Sequence, residues 1–330
     1  MLRTVYEPGN ASSPISVIGH RVVHGGVQFR QSTLIDQPTK AAIAQLAELA
    51  PLHNPPALAT IEAAQSALPG VRHVAVFDTA FFASLAPSAY VYPLPYEWHR
   101  DWGIRRFGFH GISHAHCAAR AAEILAQHLD RLRLVICHLG NGCSAAAVRG
   151  GTAVATTMGF TPLDGLMMGT RPGSLDPGIL VYVQRTKGLS VEELDDALNH
   201  HSGLLGVSGI SSDFRQVEAA ARSGNDRTRL ALDVYARSVR STIGSLAVTL
   251  GGVDALVFTA GVGENSATLR AAVCDGLQCL GIQLDHERNS ACQPDADIAA
   301  DCSAARILVI HTREELMIAR EAQRVATSVA

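Results

Sequence analysis

Residues 132–142 read LRLVICHLGNG, an apolar run that ends in two glycines one residue apart, and residues 255–265, ALVFTAGVGEN, repeat this arrangement. Short apolar runs that end in glycine predict buried strands followed by turns. Glycine after a strand permits positive φ and a close approach of a polyphosphate to backbone N–H groups. Together the two segments favour a nucleotide-binding α/β protein, although each alone is also typical of an ordinary tight turn. The second is not a complete dinucleotide fingerprint, because Ser266 stands in place of its third glycine.

Other segments extend the alternation of strands and helices along the chain. Further strands are predicted at Ile15–Ile18, His73–Phe77, Ser144–Val148, Ala153–Thr157 and Ile307–Ile310, with the third and fourth forming a hairpin across RGG at 149–151. Helices are predicted near Thr39–Ala50, Pro56–Ala67, Gly111–His128, Gly178–Arg185, Val191–Asn199, Arg227–Leu250 and Arg313–Val325. Asp36, Pro38 and Ser266 are predicted helix-start residues. The pattern predicts an α/β fold with mixed sheets.

Composition and charge narrow the class of protein. The chain has 330 residues, 47% hydrophobic and 17% charged, which suggests about two domains with a large core. The formal charge of −3 and the lack of a basic run argue against nucleic-acid partners and anionic membranes. Neither a transmembrane segment nor a secretory signal is expected. The seven cysteines form no CxxC pair, so reduced thiols and a cytoplasmic location are expected.

Two arginines and one aspartate are candidates for anion binding. Arg21 and Arg171 lie beside glycines, a setting that suits a bidentate grip on phosphate or carboxylate. A surface salt bridge is the alternative for each of them. Asp78 closes an apolar strand, where ligands bind in open α/β sheets. A helix-capping role for Asp78 is equally compatible with the sequence.

Three further segments leave alternatives open. His110, His114 and His116 fall within seven residues and suggest a metal site, but they lack an acidic ligand. The segment SSDFR at 211–215 has the groups to hold a ribose and base, or simply to cap a helix. Glu314 and Glu315 suit a helix start, and magnesium coordination is the functional interpretation.

Nine segments taken together resemble the signatures of the acetate kinase family. They are GHRVVHGG at 19–26, APLHNP at 50–55, FDTAF at 77–81, RRFGFHG at 105–111, HLGNG at 138–142, MGFTPL at 158–163, MMGTR at 167–171, SSDFR at 211–215 and FTAGVGEN at 258–265. They follow the family's order from about residue 15 to Arg320. The resemblance implies a fold of two related α/β domains of the actin-like ATPase (ribonuclease H-like) type. The implied first domain comprises residues 1–83 and 316–330, and the second, which binds nucleotide and dimerises, comprises 84–315.

The resemblance also implies a reaction and its ligands. It indicates phosphoryl transfer from ATP to acetate, giving ADP and acetyl phosphate, with Mg²⁺ and a homodimeric state. A carboxylate is already anionic at pH 7, so this reaction needs positioning and charge stabilisation rather than a general base. A propionate or other short-chain carboxylate kinase is the alternative substrate class, because one methylene changes binding by only about 1–3 kcal/mol.

Roles implied by the resemblance map onto named positions. The implied catalytic residues are Arg21, Asp78, His110 and Arg171. The implied nucleotide and phosphate contacts are His138, Leu139, Gly140, Asn141, Gly142, Asp213, Phe214, Arg215, Ala260, Gly261, Val262, Gly263, Glu264 and Asn265. The implied acetate pocket consists of Val23, Leu52, Phe109 and Pro162, and the implied metal ligand is Glu314.

The sequence departs from the family pattern in three places, and these departures affect the expected activity. The family opens with a strand and an Asn-x-Gly-Ser-Ser-Ser-x-Lys phosphate loop. The register implies that roughly 70 residues of the family pattern are absent from this sequence, either through truncation or because its start is misassigned. Loss of a phosphate clamp costs about 10²–10³ in rate, so an impaired enzyme or a non-catalytic remnant is an alternative. Pro172 and Phe82 stand where the family has a small polar residue and a histidine. A metallohydrolase using His110, His114 and His116 is the hypothesis from another class.

Overall fold

The computed structural model describes residues 15–328. Within this range the strands are β1 (Val17–Val22), β2 (Thr33–Leu34), β3 (Arg72–Phe77), β4 (Arg133–Leu139), β5 (Cys143–Arg149), β6 (Thr152–Thr156), β7 (Ala255–Thr259), β8 (Ala296–Asp297) and β9 (Arg306–Val309). The helices are α1 (Gln37–Gln45), α2 (Asn54–Ala67), α3 (Pro87–Tyr90), α4 (Tyr96–Trp102), α5 (Gly111–Leu125), α6 (Gly178–Lys187), α7 (Val191–His200), α8 (Gly203–Ser208), α9 (Phe214–Arg222), α10 (Asp226–Leu250), α11 (Ala260–Asn265), α12 (Ala267–Cys274), α13 (His286–Ser290) and α14 (Glu314–Ser328). The types of these elements and their order along the chain confirm the predicted α/β fold.

The chain forms two compact units. The described part of the first comprises residues 15–83, Phe109–His116 and residues 313–328. The second comprises Ser84–Gly108 and Cys117–Thr312. The predicted boundaries differ from this division at residues 109–116 and 313–315, which the structure assigns to the first unit.

A three-stranded mixed sheet forms the first unit, with strand order β1-β3-β2. Strand β3 pairs in parallel with β1 and antiparallel with β2. One face buries Val22, Phe77 and Ile43 with α1, and the other packs Val74 and Val76 against α14. The first strand was predicted at Ile15–Ile18, but it runs from Val17 to Val22 and therefore includes Arg21.

Two helices begin at the predicted capping residues, Asp36 and Ser266. Asp36 accepts a hydrogen bond from the Thr39 N–H at 2.8 Å, with proline in the first turn of α1. Ser266 accepts from the Leu269 N–H at 3.1 Å and caps α12. These contacts satisfy N–H groups that have no partner inside the helix.

The sheet of the second unit is larger and has the order β6-β5-β4-β7-β9-β8. Strands β4, β7 and β9 are parallel neighbours, and the predicted β5–β6 hairpin is antiparallel. Every residue of β7, and every residue of β4 after Arg133, is buried. Central parallel strands covered on both faces require such continuous apolar runs, which explains why the sequence revealed them. The long helix α10 packs against β4 and β5.

Two histidines on neighbouring strands of the first unit form a buried pair. His20 Nε2 lies 2.8 Å from His73 Nδ1, and the two rings stack with centroids 5.1 Å apart. Burial, with a smaller contribution from His73, lowers the pKa of His20 to about 4. Burial also lowers the pKa of His73. Both rings are therefore neutral in the folded protein at pH 7.

This pair predicts an acid-sensitive stability. An unfolded histidine titrates near pH 6.5, whereas folded His20 titrates near pH 4, so the unfolded chain binds more protons between these values. The stabilisation is complete above pH 6.5 and is lost as the pH falls towards 4, by about 3 kcal/mol. We expect the urea midpoint of the wild type to fall more steeply over this window than that of His20→Gln. The exposed control His128→Gln should keep the steep fall of the wild type. If His20→Gln keeps it as well, the acid sensitivity does not come from His20.

Two further features of the described chain concern membrane-spanning helices and cysteines. No helix within residues 15–328 combines the length and apolarity needed to cross a membrane. All seven cysteines are free, four of them buried.

Candidate active site

The first unit holds a bidentate ion pair at the carboxyl ends of its parallel strands. Arg21 lies on β1, and Asp78 directly follows β3, with its N–H bonded to the Val22 carbonyl oxygen at 3.0 Å. The Arg21 guanidinium donates from Nε to Oδ1 at 3.0 Å and from Nη2 to Oδ2 at 2.7 Å. The Asp78 side chain is 1% exposed and that of Arg21 is 39% exposed. Asp78 thus orients a guanidinium whose outer side is open to a second anion.

Glu314, the first residue of α14, adds a second carboxylate beside Arg21. Its Oε2 lies 3.7 Å from Arg21 Nη1, and its Oε1 is buried without a hydrogen-bond partner. Burial raises the pKa of Glu314, Arg21 opposes the rise, and Asp78 and Glu315 add to it. Burial by itself would lower the pKa of Arg21, but Asp78, Glu314 and Glu315 raise it above its ordinary value. This cluster has more carboxylates than guanidinium groups, which favours a cation at Glu314 Oε1.

His110 is held in a strained backbone conformation next to Asp78. Its φ is 58°, in the left-handed region that non-glycine residues rarely adopt. The following Gly111 N–H donates to the Asp78 carbonyl oxygen at 3.0 Å. A Cβ at Gly111 would lie 2.0 Å from that oxygen, so only glycine permits this approach. Strain of this kind costs about 1–3 kcal/mol and persists where the surrounding contacts over-determine it.

The second unit contains a cavity of about 650 Å³. It is lined by Gly140, Asn141, Leu204, Ser212, Asp213, Phe214, Arg215, Glu218, Gly261, Val262, Asn265 and Ser266. Its volume falls in the range of small-molecule sites. Asp213 accepts from the Arg215 N–H at 2.9 Å and pairs with the Arg215 guanidinium at 2.7 Å. The segment at 211–215 therefore caps α9 and lines the cavity as well.

The glycine segments differ from the sequence prediction in one respect. We expected glycines in positive φ after β4 and β7, but none of Gly140, Gly142, Gly261 and Gly263 has positive φ. After β7 the chain continues directly into helix α11, and the left-handed residue is Ala260, with a φ of 66°. After β7 the expectation was wrong because a helix, rather than a turn, follows the strand. Gly261 lines the cavity, and a Cβ there would meet nothing within 4 Å.

Arg171 is a largely buried guanidinium that has no carboxylate partner among residues 15–328. Its Nη1 donates to the Pro162 carbonyl oxygen at 2.9 Å. Burial lowers the pKa of Arg171, with a smaller opposing effect from Cys143. Its backbone is fixed, since the Arg171 carbonyl accepts from the Met168 N–H at 3.0 Å. A buried guanidinium without a counter-ion is a favourable position for an anionic ligand.

Several predicted nucleotide contacts lie outside the wall of the cavity. His138, Leu139, Gly142, Ala260, Gly263 and Glu264 do not line it. Leu139 belongs to the core, with no exposed surface. Conversely, four lining residues were not predicted: Leu204, Ser212, Glu218 and Ser266. Ser212 lies inside the quoted SSDFR segment and Ser266 was recognised as a cap, whereas Leu204 and Glu218 carry no local signal.

The predicted apolar pocket is described within each unit separately. In the first unit Phe109 is 1% exposed and its ring lies 5.5 Å from that of His24, in an edge arrangement. Val23 is half-buried, whereas Leu52 is 59% exposed. In the second unit Pro162 is half-buried and accepts the bond from Arg171. Their joint role stays a prediction.

Residues 2–320 match the model of the Acetokinase family. The chain belongs to the acetokinase family. It is 57% identical over 326 residues to the acetate kinase of Gloeobacter violaceus, covering 97% of this chain and 80% of that protein. It is 56% identical to the acetate kinase of a Cyanothece species, covering 93% of this chain and 75% of that protein.

Solved structures agree with this assignment to the acetokinase family. The crystal structure of Porphyromonas gingivalis acetate kinase superposes with a TM-score of 0.91 at 42% identity, covering 94% of this chain and 78% of that one. A propionate kinase from Francisella tularensis gives 0.89 at 42% identity, covering 94% and 79%. These matches confirm the predicted actin-like ATPase class for an acetokinase-family chain. Within residues 15–328 no group of three or more His, Cys, Asp or Glu side chains is placed to hold a metal ion.

Proposed function

We propose that this chain transfers the γ-phosphoryl group of ATP to acetate, reversibly, giving ADP and acetyl phosphate. The observation that carries the proposal is the 57% identity to an acetate kinase over 97% of the chain. The described residues supply what this reaction requires, namely guanidinium groups to offset charge and a cavity of nucleotide size. They do not need to supply a general base, since acetate is already anionic.

The proposed roles follow from the state of each side chain. Arg171 binds the transferring phosphoryl group, because its buried charge lacks a carboxylate partner. Arg21, oriented by Asp78, presents its open side to the acetate or phosphoryl oxygens. His110 contacts phosphate from its constrained loop. Charge stabilisation by such fixed donors is the largest contribution in reactions of this type.

The nucleotide is proposed to occupy the cavity of the second unit. Asp213, Phe214 and Arg215 form its border on α9, and Gly261, Val262 and Asn265 form its border on α11. Asn141 and Gly140 supply the end of the β4 segment for the phosphates. A cavity lined by a few polar groups beside apolar side chains is typical of such sites.

Glu314 is the residue that would hold Mg²⁺. Its buried Oε1 has no hydrogen-bond partner, and the neighbouring carboxylates give the position an excess of negative charge. Magnesium is commonly bound by one or two carboxylates together with substrate phosphates and water, so a single free carboxylate oxygen fits. When bound, the ion neutralises charge on the phosphate oxygens.

A coupled assay tests the proposal. Purified protein is incubated with ATP, MgCl₂ and acetate, and acetyl phosphate is trapped as the hydroxamate. Hydroxamate that requires both ATP and acetate is expected. Binding of ADP without any hydroxamate from acetate, propionate or butyrate would instead support a non-catalytic nucleotide-binding protein.

Propionate is the second candidate substrate, because the solved propionate kinase matches as well as an acetate kinase at 42% identity. One methylene is worth about 1–3 kcal/mol in an apolar pocket, so the two acids should differ in kcat/KM by about 10–200-fold. Measuring kcat/KM for both acids decides the preference.

We also propose a cytoplasmic homodimer. Helix α6 has no buried residue and exposes the apolar side chains of Ile179, Val181 and Tyr182, at 46–57%. Exposed apolar side chains on an otherwise unburied helix mark an interface, and a second copy of the chain is the proposed occupant. Sedimentation should give the mass of two chains, and Val181→Glu should shift it towards one. The free cysteines agree with a reducing compartment.

A further inference from the structure

Helix α11 is a weak element by its composition. It has six residues, two of them glycine, and begins at Ala260 in the left-handed conformation. Isolated helices of this length are not stable, and glycine lowers helix stability further. Yet three of its residues, Gly261, Val262 and Asn265, form a wall of the cavity. Their position must therefore be imposed by other contacts.

The Glu264 carboxylate provides one set of these contacts from the side away from the cavity. The residue is 7% exposed and does not line the cavity. Its Oε1 accepts hydrogen bonds from the Ala260 N–H at 2.8 Å and the Thr312 N–H at 2.9 Å. Its Oε2 lies 2.5 Å from Nδ1 of His311. The carboxylate thus joins the first residue of α11 to the chain that follows β9.

Arg270 provides the matching contacts at the other end of α11. Its side chain is 2% exposed and is the largest among the fully buried side chains. Nη1 donates to the carbonyl oxygens of Gly263 at 3.0 Å and Glu264 at 2.8 Å, and Nε donates to Asn289 Oδ1 at 2.8 Å. These carbonyls lack partners within so short a helix. Buried charges therefore hold both ends of α11.

We propose that Glu264 is a positioning residue for nucleotide binding, acting through the Ala260 and Thr312 N–H groups and not by contact with the nucleotide or metal. The inference rests on the proposed function, because it takes the cavity to be the nucleotide site. It assigns to Glu264 a role different from the direct contact that the family resemblance implies. Since the two backbone bonds use a single oxygen, an amide at this position can preserve them.

The test compares Glu264→Ala with Glu264→Gln by calorimetric titration of ADP, with and without MgCl₂. Glutamine keeps one acceptor oxygen for both N–H groups and can donate to His311 from its amide, whereas alanine removes every bond. We expect at least a tenfold rise in the Kd of ADP for Glu264→Ala and a change below threefold for Glu264→Gln. His311→Gln is the matched control, since it leaves both Oε1 bonds in place; a change below threefold is expected.

Steady-state kinetics add a readout that loss of fold would not produce. We expect Glu264→Ala to raise KM for ATP while kcat and KM for acetate change less than threefold, the pattern for lost uniform binding. Thermal melts verify folding. If Glu264→Ala does not fold, Glu264→Asp replaces it, because the shorter side chain cannot reach both N–H groups and the same rise in Kd is expected.

Two results would overturn the inference. Unchanged ADP affinity in both Glu264→Ala and Glu264→Asp would show that the bonds to Ala260 and Thr312 do not position the site. Equal weakening in Glu264→Gln and Glu264→Ala would show that the negative charge itself acts on the ligand or its metal. Failure of the wild type to bind ADP would instead contradict the proposed nucleotide site, so the two failures are distinguishable.

Discussion

Arg171→Gln is expected to lower kcat for acetyl phosphate formation by about 10²–10³-fold, the usual cost of removing one fixed donor from a developing charge. The fold should not suffer, because Arg171 has no carboxylate among residues 15–328 that its removal would leave unpaired. Burial already disfavours its charge, as its lowered pKa indicates. We therefore expect an unchanged or slightly higher melting temperature together with the loss of activity.

Steady-state kinetics and thermal melts on the same preparations test this combination. Arg171→Lys keeps the charge but loses the planar fork, so its kcat should lie between those of the wild type and Arg171→Gln. Arg229→Gln is the surface control, since the exposed Arg229 pairs with the exposed Asp226 at 3.0 Å. A kcat for Arg171→Gln within threefold of the wild type would remove Arg171 from the catalytic set.

Gly111→Ala is expected to destabilise the first unit by about 1–3 kcal/mol, as overpacking does, and to lower kcat/KM by about 10²-fold. The added Cβ would lie 2.0 Å from the Asp78 carbonyl oxygen and 2.8 Å from the Phe81 Cβ. Backbone must move to relieve this contact. The movement displaces Asp78 or the strained His110, and a displacement of about 1 Å at a catalytic group is enough for that loss.

Gly244→Ala is the matched control for this substitution. Gly244 lies inside the long helix α10, and a Cβ there meets nothing within 4 Å. Alanine in a helix interior is more stable than glycine by about 0.5–1 kcal/mol, so this variant should be neutral or stabilised with normal activity. Chemical denaturation and the hydroxamate assay give both quantities. If Gly111→Ala is as stable as the wild type, the close approach of residue 111 to the Asp78 carbonyl oxygen is not what requires glycine there.

The elements that the sequence predicted well are those in which burial and local pattern agree. Strands β4 and β7 are apolar almost throughout because both faces of a central parallel strand are covered. Asp36 and Ser266 were identified as caps by their own chemistry. Strand β1 was placed too early, because its first three residues are half-buried and the exposed Arg21 lies between buried His20 and Val22, so that no apolar run marks its second half.

The sequence predicted several residues of the candidate site, but not the role of each residue. Asp78 was identified from a strand end, Arg21 from its neighbouring glycines and Glu314 from a helix start, and the ion pair joins the first two. No sequence pattern reveals that Glu264 faces inward, since its partners His311 and Thr312 lie 47 and 48 residues away. The left-handed residue after β7 was also hidden, because alanine rarely adopts that conformation and only tertiary contacts impose it.

The packing of α14 on the first sheet has a consequence for biosynthesis. Ala322 and Val325 cover Val74 and Val76, so that face of the first unit stays uncovered until the ribosome has produced residues beyond 322. By then all of the second unit has been synthesised. Nascent chains should therefore acquire protease resistance in the later-made unit first, reversing the usual amino-terminal-first order of vectorial folding.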